Sequence, residues 1–220
     1  MPDTPKPPSL EDALAELPLF PLPEVVLFPH AVLPLHVFEP RYRRMLADCL
    51  ATHSALAIAH IVEGLDEWGQ PRIAPISGGG VVLRHQPLPG GRSNILVLGR
   101  ARVRLHELAP SSDVPYRRAR AEIVTSDDGR VSDSDKMALV GMAMSFVTEV
   151  RRHDPGFGFS LPSDMGAADV ADACACQLIA AGDARQEILE DLDPSSRVER
   201  VTRQLAIQLA AMKEDGVVLS

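Results

Sequence analysis

Three lysines, seven histidines, three cysteines and several closely spaced arginines are the side chains through which this sequence could do chemistry. Lys6 is followed by Pro7, Lys136 by Met137 and Lys213 by Glu214, and none of the three follows a glycine. A phosphate-binding loop needs G-x-x-x-x-G-K-[ST], because its lysine must reach the phosphates and its hydroxyl must hold magnesium. That loop is absent. A Ser–Lys dyad needs a lysine desolvated beside a serine. Lys6 falls in a proline-rich start, Lys136 in a polar acidic stretch and Lys213 in the last helical turn, so none reads as a buried base. The histidines (His30, His36, His53, His60, His85, His106 and His153) show no H-E-x-x-H spacing, and no cysteine pairs stand at zinc-ribbon distances. His36 and Glu39 lie close together, but Pro34 and Pro40 bracket them in extended chain and no third ligand accompanies them. Cys174 and Cys176 sit two apart in an alanine-rich helical pattern and point to different faces, so with Cys49 they read as small buried hydrophobes. The run Gly78–Gly80 precedes a strand, whereas a dinucleotide loop would follow one and open a helix. It reads as a bulge or a close backbone approach. No G-x-S-x-G elbow is present. No catalytic residue, no metal and no cofactor is assigned, and the chain is read as a non-enzyme.

The elements that would position these residues fall into two halves. Six prolines punctuate the apolar stretch LPLFPLPEVVLFPHAVLPLHVFEPRY, from Leu17 to Tyr42. Proline lacks an N–H and fixes φ, so the stretch must run as short extended pieces over a core, an irregular and largely buried edge of a β-domain. Pro40 suits the first turn of a helix, with Tyr42, Met45, Leu46, Cys49 and Leu50 as its apolar stripe. LAIAHIV reads as a strand, GLDEWGQP as a turn, and VVLRHQPL with GGRSNILVLGRARVRLHEL as a hairpin. In the second hairpin arm Ala101, Val103 and Leu105 should face inward, and Arg102, Arg104 and His106 should face solvent. YRRARAEIV closes the strand-rich half. Residues 127–136 are polar and read as a linker.

Beyond them the period changes from two to about 3.6. Leu139, Ala143, Phe146, Val147 and Val150 form one helical face. Val170, Cys174, Leu178 and Ala181 form another, past the break HDPGFGFSLPSDMG. Asp183 is placed to cap a short helix carrying Ile188, Leu189 and Leu192. Asp193–Pro194 makes a helix start, and Gly216 a stop. The expected organisation is a flexible tail over residues 1–14, a β-rich domain over 15–126, the linker, and a helical bundle over 137–220.

The net charge of −8 and pI near 5.3 argue against a nucleic-acid surface, which usually carries a basic footprint. No apolar run has the length of a membrane span, and the start lacks the basic-then-apolar pattern of a signal peptide. A cytoplasmic protein without membrane attachment is expected.

Three segments carry a resemblance. LPLFPLPEVVLFPHAVLPLHVFEPRYRRML, NILVLGRARVRL and ADVADACACQLIAAGDARQEILEDLDPSSRVERVTRQL resemble, in order, the opening signature, central hairpin and closing helices of the Lon protease N-terminal domain family. Together they span roughly residues 15–212, and the likeness is to the stand-alone bacterial form. The resemblance implies an α+β fold: a twisted β pseudo-barrel of the PUA-like superfamily, then a compact α-helical bundle. In full-length relatives this region is associated with recognising substrate protein and with assembly, and not with the chemistry.

The resemblance, joined to the missing catalytic machinery, implies a module that binds polypeptide, either unfolded substrate or a dedicated partner protein. Phe38, Arg41, Tyr42 and Trp68 are the candidate contacts. Phe38 and Tyr42 flank the corner between barrel and first helix, although both also suit a core, and Glu39 with Arg41 suits a structural ion pair. Trp68, the lone tryptophan, lies between acids and glycine in a turn, where it has little packing work to do. The alternative is RNA binding, since PUA-like barrels in other families bind RNA. Arg100, Arg102 and Arg104 on one strand and Arg117, Arg118 and Arg120 on another would then form a basic stripe. A monomer or weak homodimer is expected.

Overall fold

The computed structural model describes residues 7–125, 131–162 and 164–215. Two compact units divide the chain, Met1–Thr125 and Ser126–Ser220, and each has its own construction.

The first unit contains β1 (Leu17–Leu22), β2 (Val32–Val37), α1 (Pro40–Ala51), β3 (Ala55–Leu65), β4 (Pro71–Ile73), β5 (Ile76–Pro87), β6 (Ser93–Glu107) and β7 (Arg118–Val124). The hydrogen-bonded order β1–β7–β6–β5–β3 closes on itself, because β1 also pairs with β3 in parallel, Leu19 opposite Ala57 and Leu22 opposite His60. The result is a closed five-stranded barrel, with β2 added along β6 and β4 along β3. β1 has a paired neighbour on each side, β7 and β3, where an edge segment was expected. Its start pairs with β7 through Leu17 and Pro18, and its remainder pairs with β3. The edge is β2 instead, and burial along it alternates where a largely buried piece was expected.

Two apolar clusters hold this unit. Inside the barrel lie Leu17, Leu19, Ala57, Val81, Val103 and Ala119. On the other side of the sheet, α1 contributes Tyr42, Met45, Leu46 and Cys49 to a cluster with Phe20, Leu27 and Val97. Leu50, expected in the α1 stripe, is exposed. Between the prolines, Val26, Leu27 and Phe28 are buried, and they cross β5 and β6 backbone to backbone. A Cβ built on Gly78 would stand 1.9 Å from the Leu27 carbonyl oxygen, and one on Gly99 2.0 Å from that of Phe28. The close-approach reading of Gly78–Gly80 is therefore right, although these three lie within β5 and do not precede it. The tail is shorter than expected: Leu10 and Ala13 are buried in the barrel cluster, in a 3-10 turn over Glu11–Ala13, and the Ser9 N–H donates to the His53 carbonyl at 3.0 Å.

The second unit contains α2 (Asp133–His153), α3 (Ala167–Leu178), α4 (Gly182–Glu190) and α5 (Pro194–Asp215). The helical periodicity is realised on α2, where Leu139, Ala143, Phe146 and Val147 are buried, and on α3, where Val170, Cys174 and Leu178 are; α5 buries Val198, Val201, Leu205 and Met212 in the same rhythm. Val150 is half-buried and Ala181 exposed. Helix α2 starts before the expected end of the linker, because Ser132 caps it by accepting from the Asp135 N–H at 3.1 Å. Lys136 thus lies in its first turn and donates to the Met165 carbonyl at 2.6 Å. Asp193 starts α5 as expected, accepting from the Ser195 N–H at 2.9 Å. Asp183, expected as a cap, sits inside the first turn of α4. Gly216 lies outside the described residues. A buried pair locks the bundle: Arg197 Nε stands 3.3 Å from Asp172 Oδ1, and Arg197 donates to the Asp191 carbonyl at 2.8 Å. Barrel and bundle together make an α+β chain, with five α-helices among the described residues. Among the described residues, no helix is long and apolar enough to cross a membrane.

Candidate binding cleft

Three segments of the first unit meet around a cleft of about 200 Å³: the first turn of α1, the turn after β3, and the connection from β6 to β7. Each is fixed by local chemistry. Pro40 opens α1 behind an extended Glu39. That places the Tyr42 ring 4.3 Å from Phe20, centroid to centroid, with the Arg41 guanidinium 4.5 Å above the Tyr42 ring. Arg41 also pairs with Glu39 at 3.0 Å. In the turn, Asp66 Oδ1 accepts from the backbone N–H of Trp68 at 2.9 Å and of Gln70 at 2.8 Å, an Asx-type closure that presents the indole.

Arg117 joins the second and third segments. Its guanidinium reaches Asp66 at 3.2 Å, Glu107 through Nε at 2.9 Å and the Pro71 carbonyl at 2.6 Å. With 12% of its side chain exposed, this is a largely desolvated cation balanced by two carboxylates. Tyr116 joins the third segment to α1, donating its hydroxyl to Asp48 at 3.0 Å. Burial, then that bond, raises the Tyr116 pKa above its usual range, so the hydroxyl stays a donor. Burial likewise raises Tyr42, against the opposing pull of Arg41. The cleft therefore combines apolar and aromatic walls with guanidinium groups at fixed positions.

Arg41, Tyr42 and Trp68 all line this cleft. Tyr42 is buried and contributes a wall, whereas Trp68, 37% exposed, stands at the rim. Phe38 does not line it. Phe38 is 58% exposed, and its ring stacks on His36 at 5.9 Å, beyond the end of β2. The six arginines do not share one open face. Arg102, expected toward solvent, is 4% exposed. It sits across from Gly78, on the face that the Leu27 segment covers. Arg117 is enclosed by its carboxylates, Arg118 pairs with Glu16 at 2.6 Å, and Arg104 lies opposite Glu122. Arg120 is opposite His106, well along β6 from Arg100. Arg117 and Arg118 belong instead to the cleft. Sequence reasoning missed Tyr116 and the organising role of Asp66. The Asp-x-x-Gly turn and a tyrosine beside two arginines, after Ser-Ser-Asp-Val-Pro, were the available signals. Among the described residues, no group of three or more His, Cys, Asp and Glu side chains is placed to hold a metal ion.

The model of the ATP-dependent protease La (LON) substrate-binding domain family matches residues 16–206. The chain belongs to this family. Among curated relatives, Lon protease from Desulfosudis oleivorans is 25% identical over 213 residues, which cover 92% of this chain and 25% of that protein. Lon protease 2 from Syntrophobacter fumaroxidans is 27% identical over 207 residues, 90% of this chain and 25% of that one. The chain thus spans about a quarter of the length of the curated relatives it matches. The crystal structure of a Lon N-terminal domain protein from Xanthomonas campestris superposes with a TM-score of 0.64 at 21% identity, covering 86% of this chain and 97% of that one. The N-terminal domain of a Mycobacterium avium complex Lon protease gives 0.63 at 15% identity, covering 87% and 98%. These two likenesses establish the LON N-terminal fold.

Proposed function

We propose that these 220 residues bind polypeptide, as unfolded substrate or as a segment of a dedicated partner, without acting on it chemically. The observation that carries the reading is the convergence of Arg41, Tyr42 and Trp68 on one cleft of a LON substrate-binding domain. An extended chain entering it would set apolar side chains against Trp68 and Tyr42. Arg41 and Arg118 would meet its carbonyls or carboxylates. Neither a P-loop nor a glycine-linked lysine occurs in the sequence, which supports binding without catalysis. A cytoplasmic setting and a monomer or weak homodimer belong to the same proposal.

Because Trp68 is the single tryptophan, its emission reports on the cleft directly. Titrating the protein with a permanently unfolded polypeptide should shift and saturate that emission, and the folded form of the same polypeptide should leave it unchanged. Trp68→Ala, followed by anisotropy of a labelled unfolded chain, should weaken binding by about tenfold, the loss of one rim aromatic. Unchanged affinity in that variant would remove the cleft from the proposal.

A further inference from the structure

A protein of net charge −8 has no Asp or Glu between Trp68 and His106, nor between Val25 and Phe38. Those two runs supply all of β2 and β5 and every residue of β6 before Glu107. The three strands pair side by side, with β6 in the middle. Residues directly across from one another share a face of a sheet. Leu96 stands between Pro34 and Arg84, and Asn94 between His36 and Gln86. These side chains line one open groove of about 460 Å³. The intervening Ile95 and Val97 are buried on the opposite face, against the α1 cluster.

The groove is apolar in its middle and basic at one side. Arg84 is exposed, and the strands around it offer no carboxylate to neutralise it. His36 is held by a 2.7 Å hydrogen bond to Asn94 and stacks on Phe38. Phe38 and Val32, 58% and 50% exposed, continue the apolar surface at the two ends of β2. Among the described residues β2 pairs with β6 alone, so this face ends on a free strand edge.

We propose that this groove takes an extended, acidic and apolar polypeptide segment, its carboxylates on Arg84 and its alternate apolar side chains on Pro34, Leu96 and Phe38. Charge complementarity selects that occupant. An acidic segment is repelled by the molecule as a whole, and this face is where the repulsion is absent and a guanidinium stands ready. RNA fits less well, because the groove offers one arginine and one exposed phenylalanine where a nucleic acid needs a basic track and several stacking platforms. The inference rests on the polypeptide-binding reading but places acidic segments on a surface distinct from the Trp68 cleft.

The test compares labelled short peptides in which Leu alternates with Asp, Asn or Lys, by anisotropy at low salt. The Asp peptide should bind about fivefold more tightly than the Asn peptide, the scale of an exposed ion pair, and the Lys peptide least. Arg84→Glu, at an exposed position, should leave far-UV circular dichroism unchanged and reverse the order of the Asp and Lys peptides. Trp68→Ala should leave the Asp preference intact. Equal affinity for the Asp and Asn peptides, survival of the Asp preference in Arg84→Glu, or capture of single-stranded RNA in place of peptide would each overturn the inference. If an unfolded neutral chain still perturbs Trp68 while the Asp preference is missing, this inference alone fails. If no polypeptide binds at all, the broader proposal fails with it.

Discussion

The barrel unit and the helical unit bury their cores by opposite means. In the barrel, closure joins strands remote in sequence, β1 with β3 and β7, and the Leu27 and Phe28 crossings are backbone against backbone, over Gly78 and Gly99. In the helical unit, cores come from side chains repeating every three or four residues, locked by the Arg197–Asp172 pair. The first kind of core tolerates no added atom at its crossings. The second tolerates added atoms on its surface but not an unpaired charge inside. Fragility therefore has a different chemical origin in each half of the chain.

Arg197→Ala should produce the largest effect. It leaves Asp172, 5% exposed, as a buried carboxylate without its guanidinium, at a cost of about 3–5 kcal/mol. A urea melt followed by far-UV circular dichroism, dominated by the helices, should show the loss. Pairing Arg197→Met with Asp172→Leu should restore most of it, since removing both charges removes the desolvation problem. If the double variant is as unstable as the single one, the pair's worth lies in its geometry and not in its neutralisation.

Gly99→Ala is the matching blow to the barrel. The new methyl would overlap the Phe28 carbonyl oxygen, 2.0 Å away, and backbone on both sides must shift. Overpacking of this kind costs about 3 kcal/mol, to be read from the Trp68 fluorescence transition, since the lone tryptophan lies in this unit. A transition unmoved by the substitution would mean that the proline-bounded segment lifts off the sheet at little cost.

Those two positions also show what could be read from sequence. The helical unit was legible because its information is local: Leu139, Ala143 and Phe146 announce a face, and Asp193–Pro194 a start. In the barrel the strands were legible, but not what covers them. The alternation of Arg102 and Val103 gave their opposite faces correctly. Arg102 is nevertheless buried, because a segment from far earlier in the chain crosses its face at Gly78. Leu10 was hidden for a related reason: a single leucine among prolines and acids has no periodicity, and only the closed barrel offers it a socket against Gly79. At the cleft, Trp68, Arg41 and Tyr42 stood out by residue type. Tyr116 and Arg117 matter through bonds to Asp48 and Asp66, partners no spacing rule connects.

One buried thiol in each unit allows a direct comparison of opening. Burial, helped by Asp48, pushes Cys49 up to about 12, and burial alone does the same for Cys174. A thiol whose folded pKa exceeds its unfolded value stabilises the fold fully below the unfolded value and loses that contribution as pH climbs toward the folded one. Both units should therefore weaken between about pH 9 and about pH 12, and not on the acid side, through these groups. Urea midpoints across that range should fall less in Cys49→Ala for the Trp68 signal, and less in Cys174→Ala for the helical signal. A fall of equal size in each single variant and the parent would locate the alkaline loss elsewhere.

The smallest effect has the opposite sign and closes the comparison. Gly141 lies within α2, is exposed, and would meet nothing within 4 Å if given a Cβ. Replacing it with alanine removes the conformational freedom of glycine in the unfolded chain without any steric charge, a gain of about 0.8 kcal/mol. The same one-carbon change that breaks the barrel at Gly99 should thus raise the urea midpoint of the helical signal when made at Gly141. Should Gly141→Ala destabilise instead, α2 would owe its position to something beyond the buried face of Leu139, Ala143 and Phe146, and that exposed side of the helix would become the next surface to probe for a partner.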